Sequence, residues 1–496
     1  MNETLKNIFY FFFAILIAKI IGVLKSFWLA KILEPSDYGI WITILLISSY
    51  APIICLGTVE ALLKQVPFYI GKGEYNSASE VENGVFSTLI ITASLTIIVG
   101  FTFHFFIPSE ELLNVIILIR LMVISAVINF FSAYFYHRFA AYQNFKIVSI
   151  IDTVRAFLIL LLQVSFGYIW GLIGALLGYL VCEIIVFFIS MILSFSLYGN
   201  VSFSFKYNYI KRLIRIGFPI TIVWWIFTLQ TTVDRLICIS MLGKIATGYY
   251  GLGVAIMSVF ILIPQAIGKV LYPKINERYG QTENKNDLIP LVLNPTYILS
   301  IFVPLIISII IFLLPIAYKV ILPKYSRGLR SAQILIFGSF FSSFILNGAN
   351  YLIATNNQYK FIKSVLYSLL FNIVGNITFV KLGFNIEGIA LSTSLSGVFL
   401  TTLILWYVFD DIEYDKNTKF FEIIHVYFPF FIFISTMLVC NLFIPGYFYE
   451  TSITLFFNFL LTILISYTTF LIIPFYRRKI FFLLKAFKVA ISKKIL

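Results

Sequence analysis

Charge is what this sequence has least of. Only 12% of its 496 residues are Asp, Glu, Lys or Arg, half the proportion of an ordinary soluble chain. Histidine occurs three times (His104, His137, His425) and cysteine four times (Cys55, Cys182, Cys238, Cys440). All are scattered, and no two stand at metal-ligand spacing. The cysteines read as small hydrophobes inside helices. No Gly-x-x-x-x-Gly-Lys-[Ser/Thr] phosphate loop is present, because GKGEYNS (Gly71–Ser77) lacks its spacing. Polar stretches long enough for a soluble domain are missing too. These scarcities exclude a soluble enzyme, a built-in ATPase and a membrane protein with a large extramembrane domain.

What fills the chain is apolar: 60% hydrophobic residues, with mean hydropathy +0.97. A spanning helix needs about 20 such residues. Windows of that length place fourteen spans, from Ile8–Leu33 and Tyr38–Leu63 through to Phe421–Leu442 and Ile453–Phe475. They are too long for barrel strands. The expected fold is an all-α integral membrane bundle of about 14 transmembrane helices. The first span, Ile8–Leu33, is too long for a cleavable signal, and no cleavage site follows it.

The net charge of +14 comes from 36 basic and 22 acidic residues. In a membrane chain this reflects cytoplasmic loops rather than nucleic-acid binding. With the N-terminus inside, the inner connections hold 23 Lys and Arg and the outer connections six, or seven with Lys31. Both termini are therefore expected in the cytoplasm. The outer cluster Lys319, Lys324, Arg327 and Arg330 contradicts the rule. The basic tail after Arg477 suits the anionic inner leaflet, or serves only as an orientation signal.

Two segments resemble each other at an offset of 209: LAKILEPSDYGIW (Leu29–Trp41) and CISMLGKIATGYY (Cys238–Tyr250). Leu33 then matches Leu242, Gly39 matches Gly248 and Trp41 matches Tyr250. Six spans separate the two, so the repeats point the same way across the membrane, as in many alternating-access transporters. This divides the chain into an N-terminal six-helix lobe (1–200), a C-terminal six-helix lobe (201–410), two extra helices (411–476) and a basic tail (477–496).

These same residues resemble the polysaccharide transporters, the O-antigen and capsule flippases of the multidrug/oligosaccharidyl-lipid/polysaccharide exporter superfamily. IGFPITIVWWIFTLQTTVDRL (Ile216–Leu236) is similar to that family's seventh helix. GYYGLGVAIMSVFILIPQAIGKVLYPKI (Gly248–Ile275) is similar to its eighth. Glu34 departs from the family's usual Gly before the Pro. The resemblance implies flipping of an undecaprenyl-diphosphate-linked oligosaccharide from the inner to the outer leaflet of the bacterial cytoplasmic membrane, in surface polysaccharide biosynthesis. It leaves open whether O-antigen, capsule, exopolysaccharide or teichoic units are carried. Transport is then driven by a proton or sodium gradient or by downstream consumption, within or apart from a polysaccharide polymerase complex. No cofactor and no nucleic acid is called for.

Ionisable groups inside spans are costly and therefore informative. At about 1.5 Å per residue, Lys19 and Lys25 lie ~16 and ~26 Å from the inner end of helix one, and Arg120 ~12 Å from the outer end of helix four. On helix five, Asp152 and Arg155 are spaced to pair, with Asp152 compensating Arg155. Lys19, Lys25, Arg120 and Arg155 are thus the candidates for a cationic, diphosphate-binding cavity, unless acids or the interface absorb them. Glu183, near mid-membrane, is the candidate for ion coupling. Glu60 and Lys269, 209 apart, form a candidate inner gate or simply reach the interface. Asp234 and Arg235 fit a structural gate pair. Asn347, Asn350, Asn372 and Asn376 suit sugar hydroxyls or bonds between helices. Asp410 and Asp411 read as part of a solvated charge run. A multidrug antiporter of the same fold would want an acidic cavity, and a glycosyltransferase or polymerase a larger outer loop than Ala317–Arg330.

Overall fold

The structure is a computed structural model that describes residues 3–102, 113–258, 281–443 and 453–478. Within 259–280 it describes only residues 260, 264, 267, 268, 271, 272, 275, 278 and 279. Lys269, His104 and most of the basic tail lie outside the described residues. Among the described residues every regular element is a helix, and ten helical runs are long and apolar enough to cross a membrane. The all-α membrane fold expected from hydropathy is therefore the fold observed. The chain divides into two compact units, Met1–Leu252 and Gly253–Leu496.

The first unit contains α1 (Glu3–Ile32), α2 (Pro35–Tyr50), α3 (Thr58–Gly71), α4 (Tyr75–Thr102), α5 (Leu113–Ala141), α6 (Phe145–Tyr198) and most of α7 (Tyr207–Met257). Two spans expected between Ile147 and Phe195 form one 54-residue run, reversed at Gly171 (φ +59, ψ −137). The run from Tyr207 is interrupted in the same way at Gly243. The span expected over Tyr38–Leu63 is not one helix. Pro52 opens a 3₁₀ turn over Ala51–Cys55, and left-handed Leu56 and Gly57 restart the chain as α3. The proline ring removes a ladder donor there, and the left-handed pair Leu56–Gly57 ends the run.

The second unit contains α8 (Ile289–Ile316), α9 (Leu329–Ser342), α10 (Ile345–Ala354), α11 (Gln358–Lys381), α12 (Asn385–Asp411), α13 (Lys416–Phe443) and α14 (Ile453–Ile472). Helices α13 and α14 dock on α8, where Tyr467 donates to the Ile301 carbonyl (2.7 Å) and Tyr297 hydrogen-bonds Glu422.

One left-handed turn closes several helices, α3, α5, α10, α11 and α12 among them. After α5, Gln143 adopts φ +59, while its N–H reaches the Ala140 carbonyl (3.0 Å) and that of Asn144 reaches Phe139 (2.9 Å). After α10, Asn356 also adopts φ +59, with Asn356 bonded to Ile353 (3.2 Å) and Asn357 to Leu352 (2.7 Å). The turns after α5 and α10 thus have the same geometry.

Each turn sits beside a charged knot. In the first unit Arg138 is 1% exposed and donates to Glu82 (2.8 Å), Ser194 (3.0 Å) and the carbonyls of Tyr198 (2.9 Å) and Gly199 (3.0 Å). In the second, the Asp411 side chain is 8% exposed and takes bonds from Lys285 (2.9 Å), Tyr351 (3.2 Å) and Asn357 (3.0 Å). Lys360 lies 3.6 Å from the same carboxylate. Neither Arg138 nor Asp411 is therefore the solvated loop charge that sequence position suggests. Several helix ends converge there, and an isolated buried charge needs partners.

Candidate functional site

The two repeat segments meet inside the first unit. A Cβ on Gly39 would lie 1.8 Å from the Lys244 carbonyl oxygen, and one on Gly248 1.9 Å from that of Pro35. Gly39 and Gly248 are the matched glycines of the repeat, so the contact is close to self-complementary. Only a residue without Cβ lets two backbones approach this closely. At the start of α3, Gly57 and Gly217 make a second contact of the same kind.

Around this seam the repeat carries a second, chemically asymmetric pair. Lys25 stands 5.8 Å from the Trp41 ring centroid, and Tyr250 donates to Asp234 at 2.5 Å. Lys25 is equivalent to Asp234 and Trp41 to Tyr250 at the offset of 209, so each charge rests on the matching aromatic. One lobe presents a cation where the other presents an acid. Arg235 lies 3.7 Å from Asp234 and also donates to the Thr231 carbonyl, which keeps Asp234, 4% exposed, within a structural pair.

Trp41 meets Tyr179 edge-on (6.2 Å between centroids), and Tyr179 hydrogen-bonds Ser48 (3.4 Å). One turn along α6 from Tyr179, the 1%-exposed Glu183 accepts from Asn129 (3.1 Å) and faces Arg155 at 3.5 Å. Lys25, Trp41, Tyr179, Glu183 and Arg155 therefore form one connected polar cluster in an apolar bundle. The ion pair of Arg155 is with Glu183. Asp152, one turn before Arg155, accepts from Tyr136 (3.1 Å). The returning half of the α6 hairpin brings the buried Glu183 to Arg155.

Helix α1 shows two open faces. Ile17, Ile20, Leu24 and Trp28 form an exposed apolar stripe. Lys19, Gly22 and Ser26 line a different face, where Lys19 is exposed and a Cβ on Gly22 would meet nothing within 4 Å. The first stripe suits lipid; a lysine at depth does not, and needs water or an anion. Arg120 stands elsewhere, 5.3 Å from the Phe101 ring. Glu60 is half-buried in the first turn of α3.

Sequence reasoning missed Gln163. It is wholly buried, and neither amide atom has a hydrogen-bond partner. Leu29 of α1 packs on Gly167 of α6, so Lys25 and Gln163 lie one turn before this contact on their respective helices. A buried, unpaired amide is expensive. In the second unit, Asn372 donates to Ser396 (3.0 Å) and Asn376 to Asn372 (2.8 Å), while Asn350 donates to the Gly268 carbonyl (3.0 Å). These three amides bond between and along helices. Asn347, 2% exposed, has neither amide atom bonded.

Comparison with known proteins follows this geometry. The family model described as "Polysaccharide biosynthesis protein" matches residues 4–277, more than half of the chain. No curated protein matches by sequence. Among solved structures, the lipid II flippase MurJ in an inward closed conformation is similar at TM-score 0.72 and 18% identity, covering 95% of this chain and 99% of that one. An inward-facing multidrug resistance MATE family transporter of the MOP superfamily is similar at 0.68 and 14%, covering 80% and 94%. A MOP superfamily transporter from Pyrococcus furiosus, described as having a binding pocket of reversed polarity, is similar at 0.59 and 14%, covering 82% and 95%. At these identities the likeness is one of fold.

Proposed function

The chain belongs to the polysaccharide biosynthesis protein family, and from that premise we propose that it is a flippase for a polyprenyl-diphosphate-linked oligosaccharide, the undecaprenyl form in a bacterial cytoplasmic membrane. The observation that carries this reading is the part-buried cationic cluster of the first unit. Lys25 and Arg155 with Glu183 carry one net positive charge, and Lys19 on the open polar face of α1 adds another. Cations at depth offset the desolvation of an anionic headgroup, and Arg offers a forked donor to phosphate. Both termini lie in the cytoplasm on this reading, supported by 23 basic residues in the inner connections against six outside.

Arg155 supplies a coupling step. A diphosphate arriving at Arg155 competes with Glu183 for the guanidinium. Once displaced, the Glu183 carboxylate is a buried charge without its partner and takes up a proton or sodium ion. Release of the substrate restores the ion pair. The Gly39–Gly248 contact near the start of α2 and the Gly57–Gly217 contact at the start of α3 act as two closures.

A multidrug antiporter of the same fold is the second reading, favoured by the MATE-like fold. A positively charged cluster disfavours the cationic drugs such exporters would carry. Complementation of a flippase-deficient strain separates the two. Lys25→Ala is expected to abolish surface polysaccharide at normal protein abundance, and Lys25→Arg to retain part of it. Wild-type polysaccharide from both Lys25→Ala and Arg155→Ala would refute the cationic mechanism.

A further inference from the structure

Between α8 and α9 the chain forms a π-helical turn over Ala317–Ile321 and a 3₁₀ turn over Pro323–Gly328. Tyr318, Leu322 and Tyr325 are buried and pin this loop to the bundle. Lys319, Lys324, Arg327 and Arg330 all face outward, and no acidic residue lies between Ala317 and Arg330. In a 3₁₀ turn residues three apart eclipse one another. Lys324 and Arg327 therefore stand in one row, which Arg330 extends from the first turn of α9, while Tyr325 and Gly328 take the buried row. At about 2.0 Å rise per residue the cations follow each other roughly every 6 Å.

This row stands at the end of the unit opposite Lys285 and Asp411, on the side where basic residues are otherwise scarce. Cations there work against the charge asymmetry that orients the chain, yet they stand exposed on a well-packed platform. Beside them Val320 (72% exposed) and Ile321 (45% exposed) project as a bare apolar pair. A cationic row flanked by exposed apolar side chains matches an amphiphile with a multiply charged phosphate head.

We propose that this cap is an outer-leaflet binding site for the diphosphate headgroup of a polyprenyl lipid, the place where the translocated substrate is held as it leaves the bundle. The proposal rests on the flippase reading for its orientation and substrate class. Lys324 and Arg327 grip the diphosphate, Arg330 and Lys319 extend the field, and Val320 with Ile321 meets the start of the hydrocarbon chain.

The test uses full-length protein in phosphatidylcholine nanodiscs, with farnesyl diphosphate as the probe and calorimetry as the readout. Binding is measured in the wild type and in Lys25→Ala, each with and without Lys324→Gln, Arg327→Gln and Arg330→Gln together. The triple change is expected to weaken cap binding at least tenfold in either background, the loss of one or more charge-assisted contacts. It is also expected to flatten the salt dependence that exposed charges impose. Unchanged affinity in the triple variant overturns the proposal. Phosphatidylglycerol in the nanodisc abolishing probe binding at equal charge also overturns it, making the cap a general anionic-lipid surface. If the triple variant loses binding while Lys25→Ala costs nothing, the cap stands and the cationic-cluster mechanism fails. Labelling of Lys324→Cys by an impermeant thiol reagent fixes the side: reaction only from the cytoplasm overturns the outer site.

Discussion

Replacing Arg138 by Ala removes four hydrogen bonds at once and strands the carboxylate of Glu82, itself 3% exposed, in the helix ends of the first unit. Breaking a buried ion pair from one side costs about 3–5 kcal/mol, because the remaining charge has no compensation. The two carbonyls at the end of α6 lose their donor in the same change. A marginally stable domain has only about 5–15 kcal/mol in all. Arg138→Ala is therefore expected to lower the detergent-solubilised midpoint of unfolding sharply and to cut membrane abundance. Removing both charges, as Glu82→Gln with Arg138→Gln, leaves no uncompensated ion and should recover most of the loss. The assay is a thermal unfolding series on the wild type, the single variant and the double. An Arg138→Ala protein within about 1 kcal/mol of the wild type would refute the reasoning, and so would a double variant less stable than the single.

Other expectations follow from the same geometry. Gly39→Ala and Gly248→Ala each put a methyl against a carbonyl oxygen, so each should lose polysaccharide export at normal abundance; wild-type export would show that the seam does not need this approach. Asp411→Asn should destabilise by about 1–3 kcal/mol, less than Arg138→Ala, since its partners Lys285 and Lys360 are part-exposed and regain water; unfolding midpoints decide the order. Gln163→Leu removes an unpaired buried amide and should raise thermal stability by about 1–3 kcal/mol while reducing export; higher stability with full export would remove Gln163 from the transport path.

The spans were legible in the sequence because a bilayer forces every backbone group into helical bonding over about 20 residues. The boundary read near Tyr168 and Ile169 falls within a few residues of the turn at Gly171. The break at Ala51–Gly57 was less visible, since Pro52 lies within a window that stays apolar throughout. Asp411 was misread for a physical reason. A charge near a helix end looks solvated along the chain, but hairpin packing gathers several ends into one place. The Lys25–Asp234 equivalence was within reach, because the offset of 209 that aligns Trp41 with Tyr250 also aligns these two. The Arg155–Glu183 pair was not, since it depends on how the two halves of α6 fold back past each other.

The central claim is translocation of a lipid selected by its diphosphate. Purified protein reconstituted in liposomes, loaded with a polyprenyl-diphosphate oligosaccharide on one leaflet, tests it through exposure of the sugar to an added glycosidase. The account predicts protein-dependent exposure that Lys25→Ala abolishes and that fails when the diphosphate is replaced by a neutral linker. No protein-dependent exposure, or equal exposure of the neutral-linked lipid, would contradict it.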